Sequence, residues 1–296
     1  MNLKENFNIS VIGAGTMGKQ IALCAAINGF HVTLTDSFPA ALESADKFAK
    51  EYLAGRVEKG RLTQEQADAA AARFVIEPDF NEAVKDADLV IEAVIEVLDV
   101  KQDVFKKLDA ACPEKTIFAT NSSYMVSSEL ACVTNRPEKI CNMHFFAPAL
   151  VMKLVEVVRN PKTTQETVDT VYAVCEKMQK VPVVLTREIE GFLVDRILEG
   201  LCNEAHRLAD MGIATPQDID KAVKYGLGHP MGPFELHDLT GIDLLYTVYE
   251  ERYKKSGDPK DLPPIVVSKP YFAGHYGKKT GKGYYDYTPD GKIIRE

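Results

Sequence analysis

Short runs of apolar and β-branched residues alternate with longer segments of helical spacing through the first two thirds of the chain. The short runs predict β-strands at 7–12, 32–34, 74–76, 89–94, 116–119, 140–146, 153–158 and 181–185. The longer segments predict helices at 16–28, 40–59, 63–73, 100–111 and 163–178. This alternation is typical of an α/β domain with a doubly wound, mostly parallel sheet and helices on both faces.

The strand pattern stops after residue 185, and the rest of the chain has helical spacing interrupted by Gly and Pro. Helices are predicted at 191–210, 215–225, 234–239 and 242–254. We therefore expect the α/β domain to occupy residues 1–187 and an all-α domain to occupy residues 188–296. A chain of 296 residues is long enough for about two such domains.

Composition narrows the class of protein further. Lys and Arg number 35 against 43 Asp and Glu, and the resulting net charge of −8 argues against a nucleic-acid partner. No apolar run reaches the ~18 residues of a membrane span, and the start of the chain lacks the apolar core of a signal peptide. The six cysteines lack zinc-site spacing, so we expect reduced thiols and no metal site. These features favour a soluble, cytoplasmic protein.

A glycine-rich turn directly follows the first predicted strand. It reads Gly13-Ala14-Gly15-Thr16-Met17-Gly18, and a predicted helix begins at once. In this context the first glycine permits a tight turn, the second lets a pyrophosphate approach the backbone, and the third lets helix and strand pack closely. Free N–H groups at the helix N-terminus then bind the phosphates. The turn predicts a dinucleotide site in a Rossmann-type domain.

Asp36, at the end of the second predicted strand, indicates which dinucleotide binds. Its carboxylate can accept hydrogen bonds from the adenosine ribose and would repel a 2′-phosphate. Ser37 and Phe38 bring no arginine to this position. The sequence therefore favours NAD over NADP, although Lys47 or Lys50 could reach back to a 2′-phosphate.

His144 and Glu156 are polar residues that each interrupt an apolar run. A hairpin centred on residue 150 would pair the two runs as antiparallel strands and set these side chains opposite each other. An unpaired buried polar group costs ~1–3 kcal/mol, and a hydrogen bond between the two side chains would offset this cost for both. The pair could be an acid/base dyad, in which the carboxylate fixes the imidazole tautomer and stabilises the imidazolium, or a purely structural contact.

Further candidate residues follow two other predicted strands. Asn121, Ser122 and Ser123 would lie at the carboxyl end of a parallel strand, where ligands bind in such sheets. One of the serines could instead cap a helix or hold a turn. Glu96 and Lys101 follow the strand at 89–94, and Lys101 could meet a cofactor phosphate or pair with Glu96.

These residues together resemble the L-3-hydroxyacyl-CoA dehydrogenase family, particularly its short-chain 3-hydroxybutyryl-CoA type. The resemblance covers nearly the whole chain, and its middle and C-terminal motifs are specific to the family. The motifs are GAGTMG at 13–18, DLVIEAVIE at 88–96, FATNSS at 118–123, HFF-P--VMKLVEVV at 144–158, EGFLVDR at 190–196, GHPMGPFELHDLTGID at 228–243 and GKKTGKGYYDY at 277–287.

The resemblance implies NAD-dependent oxidation of a 3-hydroxyacyl-CoA, with His144 as the base and Glu156 as its carboxylate partner. The residues that it places near cofactor or substrate are Asn121, Ser123, Glu96 and Lys101. It also implies a helical C-terminal domain that forms a homodimer and closes over the cleft. The polyanionic CoA would need local cations, for which Lys47 and Lys50 are candidates, although a solvated helix face explains both equally well.

Three residues depart from the family pattern. Asp195 and Ala147 stand where the family usually has Asn, and Tyr124 stands where Ser is usual. The usual Asn at the first position helps to hold the substrate, so Asp195 is a candidate site residue. A protonated Asp195 could still donate a hydrogen bond, an ionised one could prefer a cationic substrate, or the substrate could differ from an unbranched short acyl-CoA.

Three functions are therefore considered. The first is a short-chain 3-hydroxyacyl-CoA dehydrogenase. The second is a related dehydrogenase that acts on another β-hydroxy acid or on a modified acyl-CoA. The third is an NAD-binding protein without turnover, against which the His–Glu pair argues because a binding module has no use for a base.

Overall fold

The computed structural model describes residues 3–294, which form two compact units that divide between Leu193 and Val194. Each unit has a hydrophobic core of its own. Within the described residues, no helix is both long enough and apolar enough to cross a membrane.

The division between the units lies later in the chain than the expected one between residues 187 and 188. The cause is the segment 188–193, which stays with the sheet of the first unit. Phe192 in this segment is buried and packs against Leu185 of the last strand. The sequence pattern predicts a helix from residue 191 onwards, so it does not indicate that residues 191–193 attach to the sheet.

The first unit is built on an eight-stranded sheet of order β3-β2-β1-β4-β5-β6-β7-β8. The strands are β1 (Asn8–Ile12), β2 (His31–Thr35), β3 (Phe74–Ile76), β4 (Leu89–Glu92), β5 (Ile117–Thr120), β6 (Ile140–Phe145), β7 (Leu154–Arg159) and β8 (Val181–Leu185). Neighbouring strands are parallel except for the antiparallel pair β6 and β7. The predicted α/β class with a mostly parallel, Rossmann-type sheet is confirmed, and each predicted run forms a strand.

Helices connect the strands of this sheet. They are α1 (Thr16–Ile27), α2 (Pro39–Glu58), α3 (Gln64–Arg73), α4 (Phe80–Val84), α5 (Leu98–Ala111), α6 (Ser128–Ala131) and α7 (Gln165–Lys177), with a 3₁₀ turn at Pro137–Lys139. The five predicted helices are present, with ends shifted by at most two residues. The short helices α4 and α6 have no prediction because four or five residues carry too little periodicity.

The central strands are buried on both faces, as expected where helices cover a parallel sheet. Every residue of β4, β5 and β6 is buried, including the polar side chains of Glu92, Asn142 and His144. Such polar groups need partners inside the protein, and several of them lie at the carboxyl ends of the strands. This edge of the sheet is therefore the candidate functional site.

The second unit is helical, as predicted. Its helices are α8 (Val194–Asp210), α9 (Pro216–Leu227), α10 (Pro233–Thr240), α11 (Ile242–Ser256) and α12 (Ile265–Phe272), with 3₁₀ turns at Pro259–Asp261 and Lys278–Thr280. The buried carboxylate of Asp238 in α10 accepts hydrogen bonds from the N–H groups of Tyr284 and Tyr285 and from the Tyr287 hydroxyl, each at 2.9 Å. These bonds fix the last part of the chain to the helical core.

Candidate active site

The glycine turn lies between the end of β1 and the start of α1, and two of its glycines are required by the backbone itself. Gly13 has φ +102°, and a Cβ there would come within 2.6 Å of the Ala93 carbonyl oxygen. A Cβ on Gly18 would overlap the carbonyl of Gly13. The first contact shows how closely this turn packs on the segment after β4, and the second shows how closely α1 packs on the turn.

Gly15 differs from the other two because a Cβ there would meet no protein atom within 4 Å. It is the N-cap of α1 and supplies no side-chain cap, so the first N–H groups of the helix keep their capacity to donate. Thr16 is exposed in the first turn, whereas Met17 packs partly against the core. The open helix end fits an anionic group such as a pyrophosphate.

A cavity of about 1020 Å³ continues from this turn along the sheet edge. Its lining includes Gly13, Asp36, Phe38, Val94 and Val100, so apolar walls meet the carboxylate of Asp36. This combination suits an adenosine, whose base is apolar on its faces and whose ribose donates hydrogen bonds. The residues present therefore fit NAD.

The Asp36 carboxylate also organises the turn. One of its oxygens accepts the Ala14 N–H at 2.7 Å and the other accepts the Phe38 N–H at 2.9 Å. Asp36 is half-buried, directly after β2 and opposite the glycine turn. A negative charge fixed in this place disfavours a 2′-phosphate, which is the physical basis for preferring NAD.

His144 and Glu156 face each other across the β6–β7 hairpin, in the register that the sequence predicted. The imidazole Nδ1 lies 2.9 Å from Glu156 Oε2, and the side chains are only 8% and 1% exposed. A carboxylate only accepts hydrogen bonds, so Nδ1 carries the proton and Nε2 has the free lone pair. The other oxygen, Oε1, accepts the Leu193 N–H at 3.0 Å, which fixes the carboxylate.

Aromatic rings surround the imidazole. The centroids of Phe146 and Phe192 lie 4.6 and 5.5 Å from that of His144. They limit the motion of the ring and exclude water from its faces. His144 is also one residue from the carboxyl end of β6, which runs parallel to β5, β4 and β1. His144, the glycine turn and the ends of β4 and β5 thus share one edge of the sheet.

The segment after β5 contributes three polar residues with different roles in the structure. Asn121 Oδ1 accepts the Phe145 N–H at 2.9 Å and so ties the end of β5 to the strand that carries His144. The Ser122 hydroxyl accepts the Met125 N–H at 2.9 Å, which makes Ser122 the serine that holds a turn. The Ser123 side chain is half-buried and has no hydrogen-bond partner among residues 3–294.

Lys101, in the first turn of α5, is buried between two carboxylates. Its Nζ lies 2.8 Å from Glu92 Oε1 and 3.1 Å from Glu96 Oε2. Burial raises the pKa of Glu96, but the Ser122 hydroxyl and the Lys101 ammonium outweigh it and hold that pKa below its ordinary value. The sequence predicted that Lys101 could pair with Glu96. It did not predict the pair between Lys101 and Glu92, because the position of Glu92 in an apolar strand does not indicate which residue contacts it.

Three other residues singled out from the sequence lie on helices. Lys47 and Lys50 are exposed on α2, where Lys47 pairs with Glu51 at 3.8 Å and Lys50 with Asp46 at 2.6 Å. This arrangement is that of a solvated helix face, although it leaves both ammonium groups accessible. Asp195 is half-buried in the first turn of α8, in the second unit.

Two further departures from the family pattern are exposed in the first unit. Ala147 lies two residues after the end of β6, and Tyr124 follows the serines with nearly half of its surface accessible. Both lie in segments that continue from strand ends at the candidate site. Neither carries a charge, so they alter the shape rather than the electrostatics of this edge.

Comparison with known proteins identifies the family of the chain. A family model described as "3-hydroxyacyl-CoA dehydrogenase, NAD binding domain" matches residues 8–189, and one described as "3-hydroxyacyl-CoA dehydrogenase, C-terminal domain" matches residues 191–287. The chain is 42% identical to a probable 3-hydroxybutyryl-CoA dehydrogenase of Bacillus subtilis, over 97% of this chain and 98% of the relative. It is 39% identical to the 3-hydroxybutyryl-CoA dehydrogenase of Clostridioides difficile, over 95% and 99%.

A solved structure is similar along the same length. The (S)-3-hydroxybutyryl-CoA dehydrogenase from Ralstonia eutropha superposes with a TM-score of 0.86 at 35% identity, covering 96% of this chain and all of that one. The family models, the relatives and the fold therefore agree over both units. The chain belongs to the 3-hydroxyacyl-CoA dehydrogenase family and is an NAD-dependent enzyme of that family.

Proposed function

We propose that the enzyme interconverts a short-chain (S)-3-hydroxyacyl-CoA and the corresponding 3-oxoacyl-CoA, with His144 as general acid and base. The observation that carries this proposal is the buried His144–Glu156 pair at the carboxyl edge of the sheet. The names of the Bacillus, Clostridioides and Ralstonia relatives support a short acyl chain.

Proton transfer is the part of the reaction that this chain's own residues perform. NAD, when bound, supplies the hydride acceptor for carbon 3. His144 Nε2 takes the proton from the 3-hydroxyl during oxidation and returns it during reduction. Glu156 keeps the second ring proton on Nδ1 and stabilises the imidazolium that forms.

The remaining site residues bind and orient. We assign the cofactor to the turn at 13–18, to Asp36, and to Glu96 and Asn121. Lys101 was a candidate for direct cofactor contact, but its side chain is only 1% exposed, so we assign it to holding Glu96 instead. Ser123, with its unengaged hydroxyl, is assigned to the substrate, as is Asn121 through its amide N–H groups. Lys47 and Lys50 are candidates for the CoA phosphates, since each keeps an exposed ammonium group.

The direct test is NADH oxidation with acetoacetyl-CoA. Because a positioned base and a fixed cofactor site are both present, we expect kcat on the order of 10 s⁻¹, with no oxidation when the thioester is omitted. Substrate-dependent turnover would exclude an NAD-binding protein without catalysis. An enzyme that binds NADH but leaves acetoacetyl-CoA unreduced would contradict the short-chain proposal.

Asp195 favours a second candidate, a dehydrogenase for another β-hydroxy acid or a modified acyl-CoA. In the same assay we compare the wild type with Asp195→Asn. If Asp195 serves the usual hydrogen-bonding role, the variant is as fast as the wild type or slower. A nearly inert wild type whose Asp195→Asn variant gains activity would support the second candidate, and a panel of β-hydroxy acids would then identify the substrate.

We also propose that the enzyme is a homodimer joined through its second unit. Several large apolar side chains of this unit are exposed, namely Ile197, Ile213, Tyr225, Leu227 and Phe272, with Tyr225 at 79% and Phe272 at 75%. Exposed apolar surface of this kind is typical of protein interfaces. Light scattering should give about twice 32.8 kDa, and a single-chain mass at assay concentration would contradict the dimer.

A further inference from the structure

A closed ring of hydrogen bonds joins the carboxyl ends of β4 and β5. Thr120 Oγ1 donates to Glu92 Oε2 at 2.7 Å, and Lys101 Nζ donates to Glu92 Oε1 at 2.8 Å. The same ammonium lies 3.1 Å from Glu96 Oε2, and the Ser122 hydroxyl donates to Glu96 Oε1. The Ser122 N–H closes the circuit by donating to Thr120 Oγ1 at 3.1 Å. We call these five residues the strand-end ring.

Burial divides the strand-end ring into an inner and an outer part. Glu92 and Lys101 are 0% and 1% exposed, whereas the Glu96 side chain is 42% exposed. Glu92 and Lys101 therefore cannot touch a cofactor or substrate, but Glu96 can. Any influence of Glu92 on binding has to pass through its hydrogen-bond partners, of which Lys101 also contacts Glu96.

The Glu92 carboxylate accepts three hydrogen bonds. Besides Lys101 and Thr120, it accepts the Val94 N–H at 2.7 Å. Lys101 Nζ is similarly engaged, since it also lies 3.4 Å from the Val94 carbonyl. With its hydrogen bonds directed at these acceptors, the ammonium has a fixed position and orientation.

The charges explain why the inner carboxylate matters for the outer one. A buried ammonium needs an anionic partner, and here it is shared between Glu92 and Glu96. Without Glu92, Lys101 would lose its inner partner and shift towards Glu96 and the solvent. The Glu96 carboxylate and the adjoining segment 121–123 would then lose their fixed geometry.

We infer that Glu92 is a positioning residue for the cofactor site. It holds Lys101 from the inside, and Lys101 in turn holds Glu96, so that Glu96 and the segment after β5 present one preformed polar surface. This inference rests on the proposed function, because Glu96 is assigned to the cofactor there. Preformed polar groups raise affinity because their orientation has no further entropic cost on binding.

The test begins with Glu92→Gln, which keeps the shape and removes the charge. Glutamine offers one oxygen in place of two, so one donor would face an NH₂ group. We expect the Kd for NADH, measured by fluorescence titration without substrate, to rise about tenfold. The KM for NADH should rise equally, while kcat should change by less than about threefold. Glu92→Asp, which keeps the charge but shortens the reach, should give an intermediate Kd.

A double-mutant cycle identifies the path of the effect. If Glu92 acts through Lys101, adding Glu92→Gln to a Lys101→Met background should leave the Kd of that background unchanged. The double variant also buries no unpaired charge at these two positions. Effects of the two substitutions that multiply would contradict positioning through Lys101.

Asp109→Asn is the matched control for a loss of stability alone. Asp109 is a carboxylate of the same unit and pairs with Arg136 at 2.8 Å. Its removal should lower Tm without changing the Kd for NADH. A Glu92→Gln variant with a lowered Tm and a wild-type Kd would show a structural role only and overturn the inference. If Glu92→Gln fails to fold, Glu92→Asp decides in the same way.

The outcomes separate the inference from the proposed function. Wild-type turnover of acetoacetyl-CoA together with an unchanged Kd in Glu92→Gln overturns the positioning role and leaves the function intact. A raised Kd in Glu92→Gln in an enzyme inactive on acetoacetyl-CoA supports the positioning role and overturns the substrate. A wild type that does not bind NADH overturns both.

Discussion

Replacing His144 with Gln is expected to lower kcat for NADH oxidation with acetoacetyl-CoA by about a thousandfold. A glutamine side chain can still hydrogen-bond to Glu156, so the hairpin should keep its register. It has no group that exchanges a proton near neutral pH, so the substrate oxygen loses its acid and base. Stopped-flow or steady-state absorbance at the NADH band measures the loss, and fluorescence titration should give an unchanged Kd for NADH.

His31→Gln is the control for this substitution. His31 is exposed at the start of β2, in the same unit, and it faces none of the candidate site residues in the strand register. Its replacement should leave kcat within about twofold of the wild type. A kcat of His144→Gln within tenfold of the wild-type value would contradict the assignment of His144 as the base.

The register of β6 and β7 could be predicted because polar groups inside apolar strands have few ways to be satisfied. Placing His144 opposite Glu156 fixes the hairpin, and the structure has that pairing. The other strands were predictable for a related reason, since a sheet covered on both faces needs continuous apolar runs. These constraints involve residues that are close in sequence, and this includes the cross-strand pair, because a hairpin joins neighbouring segments of the chain.

The rest depends on contacts between distant segments, which the sequence pattern does not report. Glu92 is a buried charge whose partners Lys101 and Thr120 belong to the next helix and the neighbouring strand. Asp238 likewise binds backbone groups of Tyr284 and Tyr285, more than forty residues away. Charged residues are usually exposed, so an ion pair at the surface is the ordinary expectation for Lys101, and only the packed structure corrects it.

The glycine turn separates structural from functional requirements residue by residue. Gly13 needs its positive φ, and Gly18 has no room for a side chain. Gly15 has φ −66° and ψ −166°, an extended conformation open to any residue, and free space where a Cβ would point. Nothing in the protein itself therefore demands glycine at position 15. The proposed site supplies a reason for glycine there, because the pyrophosphate of NAD would occupy this space.

Gly15→Ala should therefore raise the Kd for NADH about 100-fold, or about 2.7 kcal/mol, while Tm stays within about two degrees of the wild type. The added methyl group would hold the pyrophosphate away from the N–H groups at the start of α1. Gly55→Ala, also at a position where a Cβ meets nothing within 4 Å, is the matched control and should leave the Kd unchanged. Isothermal titration with NADH and thermal unfolding measure both quantities on the same samples. Unchanged binding by Gly15→Ala would mean that the pyrophosphate lies elsewhere. A fall in Tm well beyond two degrees would mean that glycine is required for the stability of the fold.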